Sequence, residues 1–220
     1  DLEIMRNDPR RRSATAGSFP MDLYHSGGIA VYAPSVKIIN NVIHDIGDGI
    51  SAWTSAPDTE IYGNHIYHVG FVGPDRPHGH GLYVQNSTGV KLLQENVIHD
   101  NFGQGMQVYG TSGTQLRNIK VIGNIVFENG SLTSNFSRNM LIGGTTPIVD
   151  SEVRENFSSY MYWGDNVNLG YFNSGAGCQN MAFANNVVSG GTFSVQNCQF
   201  SQMANNTVDA ELRPLARTSF

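Results

Sequence analysis

The stretch INNVIHD (39–45) is one copy of a phrase that recurs along this chain of 220 residues. Each copy places an asparagine directly before a short strand-like run, and the copies are INNVIHD (39–45), YGNHIYH (62–68), QENVIHD (94–100), IGNIVFE (122–128), RENFSSY (154–160), ANNVVSG (184–190) and ANNTVDA (204–210). The aligned asparagines are Asn41, Asn64, Asn96, Asn124, Asn156, Asn186 and Asn206. Their spacing varies from 20 to 32 residues. A fixed phrase at a variable interval predicts a rigid repeating unit connected by loops of different lengths.

A second phrase precedes each asparagine phrase. Its copies are GIAVY (28–32), GISAW (49–53), GLYVQ (81–85), GMQVY (105–109), NMLIG (139–143), NVNLG (166–170) and TFSVQ (192–196). Apolar residues between the two phrases alternate, as in the pairs Val36/Ile38, Val90/Leu92 and Ile119/Val121. Alternation is the period of a β-strand. Each repeat is therefore predicted to hold a strand, a turn, a second strand, an asparagine corner and a third strand.

This succession resembles the right-handed parallel β-helix of the pectate-lyase-like superfamily, from about residue 27 to residue 210. The resemblance implies an all-β, single-stranded solenoid of about seven to eight coils, with stacked inward asparagines that form a hydrogen-bonded ladder. Residues 1–220 would form one domain, with a partial first coil and a long loop over 1–26, regular coils over 27–210 and a tail over 211–220. Open solenoid ends favour further coils or a capping partner. The fold hosts lyases, hydrolases, epimerases, phage spikes and binding proteins, so it does not select a function.

Composition excludes some classes of partner. The net charge is −5 and the isoelectric point about 5.7, which argues against a general nucleic-acid binder. No apolar run reaches the roughly 18 residues that a membrane span needs. The class of partner must therefore be inferred from the residues on the surface of the solenoid.

Two cysteines occupy equivalent positions in the last repeats. Cys178 and Cys198 are 20 residues apart, the same interval as Asn186 and Asn206. Equivalent residues on stacked coils are within reach of a disulfide, although two stacked thiols fit the spacing equally well. A disulfide would favour a secreted, periplasmic or cell-surface protein.

The strand that carries the second phrase is predicted to present a sugar-binding surface. With Ile29 and Val31 inward, the outward positions hold aromatic and amide side chains, and the residue before each glycine also faces outward. The candidate substrate-binding residues are Tyr32, Trp53, Gln85, Gln104, Gln107, Tyr109 and Arg138. Aromatic rings stack on sugar faces while amides bind hydroxyls. The alternative is that large residues simply suit strands.

The segment GPDRPHGHGLYVQN (73–86) is the candidate catalytic site. It gathers an acid, two histidines, an arginine and a tyrosine before and within the third strand of this type: Asp75, Arg76, His78, His80 and Tyr83. Histidine is a proton carrier near neutral pH, and arginine binds carboxylates. We predict His80 or His78 as base and Tyr83 as acid. The arginines at 76, 138 and 10–12 would bind the carboxylate, as β-elimination or C5-epimerisation of a uronic-acid polymer requires.

Other readings of the site remain open. The chain lacks the dense acidic cluster of calcium-dependent pectate lyases, and PDRPH (74–78) is only loosely similar to the DPH motif of mannuronan epimerases. A glycoside hydrolase would use Asp48 and Asp75 as its carboxylate pair. A non-catalytic glycan-binding or structural module is a further alternative, in which the histidines only bind loop backbone. No cofactor is required, although His78 and His80 could hold a divalent cation with Asp75 or His25.

Overall fold

The computed structural model describes residues 1–6, 25–72, 76–111, 114–133, 138–161, 164–171 and 176–215, with side chains up to residue 213. The described secondary structure consists of these strands: β1 (Glu3–Met5), β2 (Gly27–Val31), β3 (Lys37–Ile39), β4 (Val42–His44), β5 (Asp48–Ala52), β6 (Glu60–Tyr62), β7 (His65–Tyr67), β8 (Phe71–Val72), β9 (Pro77–His78), β10 (Leu82–Val84), β11 (Lys91–Gln94), β12 (Val97–His99), β13 (Met106–Val108), β14 (Ile119–Ile122), β15 (Ile125–Phe127), β16 (Arg138–Ile142), β17 (Ile148–Val149), β18 (Glu152–Arg154), β19 (Phe157–Ser159), β20 (Asp165–Leu169), β21 (Cys178–Ala184), β22 (Val187–Gln196), β23 (Cys198–Ala204) and β24 (Thr207–Leu215).

All of these strands except β8 and β9 form three long faces, in which strands pair in parallel with their copies on neighbouring repeats. The first face contains β2, β5, β10, β13, β16, β20 and the second halves of β22 and β24. The second face contains β3, β6, β11, β14, β17, β18, β21 and β23. The third face contains β1, β4, β7, β12, β15, β19 and the first halves of β22 and β24. The predicted all-β, parallel architecture is confirmed.

Strand β22 passes from the third face to the first without interruption. The bend is made by Gly190 and Gly191, whose φ angles are 69° and 60°. A Cβ atom on Gly190 would meet the carbonyl oxygen of Tyr160, so this corner requires glycine. This strand joins the first and third faces into one 14-stranded sheet.

The alternating residues fill a continuous apolar interior, as on the first face with Ile50, Leu82 and Met106. The alternating pair Val90 and Leu92 lies on the outer side of the second face: Val90 is 41% exposed, and Leu92 pairs with Glu60. Lys91 and Leu93 are the inward residues of β11, and both are fully buried. Alternation thus predicts the strand here but not which side of it faces the interior.

Lys91 is tolerated inside because backbone oxygens surround its ammonium group. The Nζ atom donates to the carbonyl oxygens of Trp53 and Gln85 at 2.8 Å each, and to that of Ala52 at 3.4 Å. Burial nevertheless lowers the pKa of Lys91 to about 8. This lysine fixes the backbone where two first-face strands end.

The predicted asparagine ladder is confirmed. The Nδ2 and backbone N of each ladder residue donate to the Oδ1 of the next, as from Asn96 to Asn124 at 3.0 Å for both bonds. From Asn64 onward, each Nδ2 also donates to a backbone carbonyl of the second face, as from Asn124 to Leu93 at 2.9 Å. The residue before each ladder asparagine has a positive φ: Asn40, Gly63, Glu95, Gly123, Glu155, Asn185 and Asn205. The ladder therefore ties the turn between the second and third faces along the axis.

A second asparagine ladder, which the sequence analysis missed, lies between the third and first faces. Its members are Asn101, Asn129, Asn139 and Asn166, all fully buried. Asn101 Nδ2 donates to Asn129 Oδ1 at 2.7 Å, and the bonds continue through Asn139 to Asn166. A Cβ atom on Gly105 would lie 2.4 Å from Asn129 Nδ2, so the glycine of the second phrase leaves room for this ladder.

The cysteines and the long segment after residue 70 also have defined places. Cys178 and Cys198 are paired in register on β21 and β23 and joined by a disulfide, with their Cα atoms 4.3 Å apart. Strands β8 and β9, which precede β10, form a short antiparallel pair. Within the described part of the chain, no helix has the length and apolar character to cross a bilayer.

Candidate functional site

A groove of about 450 Å³ runs over the outer surface of the first face. It gathers most of the residues predicted from sequence, and its lining consists of Arg76, Pro77, His78, Gly79, His80, Tyr83, Gly103, Gln104, Gln107, Tyr109, Thr111, Arg138, Leu141 and Tyr171. We call this the first-face groove. Its floor is formed by strands and one wall by segment 76–80, so the scaffold positions the side chains.

Parallel pairing places the predicted residues in axial rows. The amide of Gly81 donates to Gln104 O, and the amide of Gly105 donates to Arg138 O. His80, Gln104 and Arg138 therefore occupy one row on successive coils. Tyr83 pairs with Gln107 in the next row. Sequence phrases that lie more than 20 residues apart thus supply adjacent groups on one surface.

His80 is held at the groove by its backbone and by a neighbouring ring. Its amide donates to Asp48 Oδ1 at 2.9 Å, and its ring meets the edge of Tyr83 with centroids 5.5 Å apart. Burial lowers the pKa of His80 to about 4, and Arg76 and His78 add to this effect while Asp48 opposes it. The imidazole is consequently neutral at neutral pH. Its Nδ1 atom is buried without a partner among the described residues.

Tyr83 stands at the centre of the polar part of the floor. Burial raises the pKa of Tyr83, while hydrogen bonds from Gln85 and Gln107 act in the opposite direction. Its ring also contacts the edge of Trp53, with centroids 5.3 Å apart. The phenol therefore stays protonated at neutral pH and is able to donate a proton.

Asp48 supports His80 from outside the groove lining. Its Oδ2 accepts a hydrogen bond of 2.6 Å from Ser51 Oγ, and its Oδ1 accepts the bond from the His80 amide. The proposed partner of Asp48 in a hydrolase, Asp75, lies outside the described residues, as does the run 10–12. Among the described residues, Asp48 therefore anchors the backbone of His80.

The two candidate carboxylate-binding arginines differ in their surroundings. Arg138 is buried, and its Nε donates to Asp165 Oδ2 at 3.0 Å on the neighbouring strand. Arg76 is exposed and lies on the wall formed by residues 76–80, next to His78. The two arginines therefore differ in exposure: Arg138 is buried at the groove, whereas Arg76 reaches the solvent there.

Aromatic rings extend the surface at both ends of the groove. Tyr32 stacks with Trp53 at a centroid distance of 6.4 Å, beyond the end that carries His80. Tyr109 meets Tyr171 edge to face at 5.2 Å at the other end. Sequence reasoning missed Tyr171 and Leu141. The signal for Tyr171 was present, because it directly follows the phrase NVNLG (166–170).

His78 is engaged with an aromatic ring. It stacks on Phe71 with centroids 5.0 Å apart, and His25 contacts the same ring at 3.6 Å. Among the residues that the structure describes, no group of three or more His, Cys, Asp or Glu side chains is arranged to hold a metal ion. A cation held by His78 and His80 stays a prediction.

Comparison with known proteins agrees with this architecture. Residues 22–146 match the family described as right handed beta helix region, and this match covers more than half of the 220 residues. The comparisons with curated proteins and with solved structures gave no match. The matched segment contains the first-face strands β2, β5, β10, β13 and β16 and the wall formed by residues 76–80. On its sequence and its parallel coils, the chain belongs to the right-handed β-helix family.

Proposed function

We propose that this protein binds an acidic polysaccharide in the first-face groove and removes the proton at C5 of a uronic acid unit, as a lyase or a C5-epimerase. The observation that carries the proposal is that His80, Tyr83 and Arg76 line one groove, with the rings of His80 and Tyr83 in edge contact. A base, an acid and a cation are the groups this chemistry needs.

The protonation states fit this division of roles. His80 has its pKa lowered to about 4, so its imidazole is neutral and its lone pair can accept the C5 proton, while the same lowering makes it a weaker base than a solvent-exposed histidine. Since its Nδ1 is buried, Nε2 is the atom assigned to this transfer. Arg76 stabilises the negative charge that develops on the carboxylate as the C5–H bond breaks. Arg138, paired with Asp165, contributes less charge but completes the wall.

Two reactions can follow once the C5 proton has been removed and the negative charge is shared with the carboxylate. In β-elimination, the electron pair from C5 forms a C4–C5 double bond, the C4–O bond breaks and Tyr83 gives its proton to the leaving oxygen. In epimerisation, Tyr83 protonates C5 from the opposite face and no glycosidic bond breaks. The raised pKa of Tyr83 keeps the phenol protonated before either donation. Neither outcome requires a cofactor, and chelation with EDTA tests the alternative of a divalent cation.

The disulfide between Cys178 and Cys198 supports an exported location, because disulfides persist mainly in oxidising compartments. Acidic polysaccharides of cell surfaces and walls are encountered there. This location is part of the proposal and is tested by the redox state of the two cysteines in the protein isolated from its source.

The experiment is incubation with a panel of uronic-acid and neutral polysaccharides in deuterated buffer. Absorbance from unsaturated uronate supports a lyase, and deuterium at C5 without new chain ends supports an epimerase. New reducing ends without absorbance would overturn the proposal in favour of a hydrolase. His80→Gln and Tyr83→Phe should lower turnover at least about 100-fold, the scale of a general acid or base. Tyr62→Phe, which removes a phenol on the second face, is the matched control.

A binding module without catalysis is the second candidate, favoured by the Tyr32–Trp53–Tyr83 aromatic row that continues past the groove. Retention of acidic glycans together with no turnover on any substrate would support it. In that case Trp53→Ala should weaken glycan retention while His80→Gln leaves it unchanged.

A further inference from the structure

A pair of histidines on the third face, away from the first-face groove, forms a preorganised site. His65 on β7 and His99 on β12 point outward from neighbouring strands, and their Nε2 atoms are 2.8 Å apart. We propose that these two Nε2 atoms bind one divalent transition-metal ion such as Zn²⁺. Imidazole nitrogen is a favoured ligand of such ions.

The neighbouring carboxylate sets the tautomer that metal binding needs. Asp100 Oδ2 accepts a hydrogen bond of 2.7 Å from His99 Nδ1, which leaves the lone pair of His99 on Nε2. The positive φ of Asp100, 49°, turns its side chain back toward the imidazole. A carboxylate behind a ligating histidine is a recurring feature of metal sites, where it orients the ring and raises its basicity.

The ring stack fixes His99 in place. His99 lies between Tyr67 and Phe127, with centroid distances of 5.4 and 4.7 Å and planes within 6° and 3°. The His99 side chain is 19% exposed, so water reaches the site. The ligand atom is therefore held rigid and accessible.

His65 supplies the second nitrogen. With the His99 proton on Nδ1, the contact between the two Nε2 atoms is a hydrogen bond that His65 donates, so binding of an ion by both atoms moves the His65 proton to Nδ1. Metal–nitrogen bonds of about 2.0–2.1 Å at a tetrahedral angle need the two Nε2 atoms about 3.3 Å apart. A small movement of His65 gives that separation.

The remaining ligands would be water molecules. Within the described ranges no third His, Cys, Asp or Glu side chain joins the pair. His44, one coil away, has both ring nitrogens within hydrogen-bond distance of carboxylates, at 2.8 Å from Asp45 and 3.0 Å from Glu3. His44 is therefore committed to other partners. An ion on His65 and His99 keeps open positions, as sites that bind a further ligand do.

Calorimetric titration of the untagged chain with ZnCl₂ tests the proposal. We expect one Zn²⁺ per chain, no detectable binding for His65→Gln or His99→Gln, and binding weakened about 10- to 100-fold for Asp100→Asn. Asparagine accepts a positive φ, so Asp100→Asn keeps the turn. The double variant His78→Gln/His80→Gln should bind as the wild type does.

Three results would overturn the site: no binding by the wild type, unchanged binding in both His65→Gln and His99→Gln, or loss of binding only in the His78/His80 variant. Circular dichroism of each variant checks that the β-sheet signal is kept. Because Asp100→Asn alters a residue that does not touch the ion, a partial loss of affinity in that variant separates the site from general unfolding.

Discussion

Arg138 Nε and Asp165 Oδ2 are 3.0 Å apart on adjacent first-face strands, so the most buried cation of the groove is already paired with a carboxylate. Arg76, on the wall formed by residues 76–80, is exposed. Because its side chain reaches the solvent at the groove, we predict that Arg76→Gln weakens the binding of an acidic oligosaccharide about tenfold or more, as loss of one charge-assisted hydrogen bond implies. Neutral oligosaccharides of the same length, measured by the same titration, should be unaffected.

Arg138→Gln should act mainly on stability instead. It leaves the Asp165 carboxylate without its partner in a partly buried position, which predicts a loss of about 1–3 kcal/mol in the free energy of unfolding. Asp165→Asn in the same background should restore part of this loss. Equal effects of Arg76→Gln and Arg138→Gln on both affinity and stability would contradict the difference that we infer.

The depressed pKa of His80 predicts a dependence of stability on pH. The folded protein keeps His80 neutral down to about pH 4, while the unfolded chain protonates it near the ordinary histidine pKa of 6.5. The unfolded state thus binds more protons between these values, and stability falls as the pH decreases from 6.5 to 4. At about 1.4 kcal/mol per pKa unit, the loss in the free energy of unfolding is at most about 3.5 kcal/mol.

Urea unfolding at a series of pH values measures this effect. The difference in stability between the wild type and His80→Gln should change across this interval and be constant above pH 7. A difference that does not vary with pH would show that His80 titrates as it does in the unfolded chain.

Asn124 in the middle of the first ladder is expected to be critical for stability. Its side chain accepts from Asn96 and donates to Leu93 O and Asn156 Oδ1, all in the buried interior. Asn124→Ala leaves several buried polar groups unpaired and should cost at least about 3 kcal/mol. The exposed Asn205, which has a positive φ of 57°, offers the control Asn205→Gly, which should be nearly neutral.

The disulfide should stabilise the last repeats. It closes a loop of 20 residues, for which chain entropy predicts about 3 kcal/mol. Replacing both Cys178 and Cys198 by alanine should lower the midpoint of thermal unfolding. Reductant should lower the midpoint of the wild type and leave that of the variant unchanged. A midpoint insensitive to reductant in both proteins would mean that the bond contributes nothing.

Much of the fold could be predicted because one phrase repeats with one geometry. Every copy of the asparagine phrase needs a residue with positive φ before the asparagine and an amide that pairs along the axis. Both requirements restrict the residue type, so the phrase is recognisable in the sequence. Lys91 escaped prediction because a charge at an inward position breaks the apolar alternation, and only the carbonyls of Trp53 and Gln85 explain it. Asn139 belongs to the second ladder, but its partner Asn129 comes from the preceding turn rather than from an aligned phrase.

The groove could be predicted in part. Once Ile29 and Val31 were assigned inward, alternation placed Tyr83, Gln107 and Tyr109 outward, and the structure brings them to one surface. The Arg138–Asp165 pair was not foreseen, because alignment gives the row in which a side chain lies but not which way a long side chain turns. The pairing of His65 with His99 was hidden for the same reason, since the two residues are diagonal across neighbouring strands.

The two asparagine ladders have a consequence for how such a protein changes over generations. They hold successive coils in fixed axial order whether 20 or 32 residues separate their members. Mutation is therefore free to lengthen, shorten or exchange the connecting segments without moving the surface residues of one coil relative to the next. Duplication of a whole coil adds one more position to that surface, whereas insertion of a partial coil leaves an amide without its neighbour. New surface residues are therefore added to the solenoid one whole coil at a time.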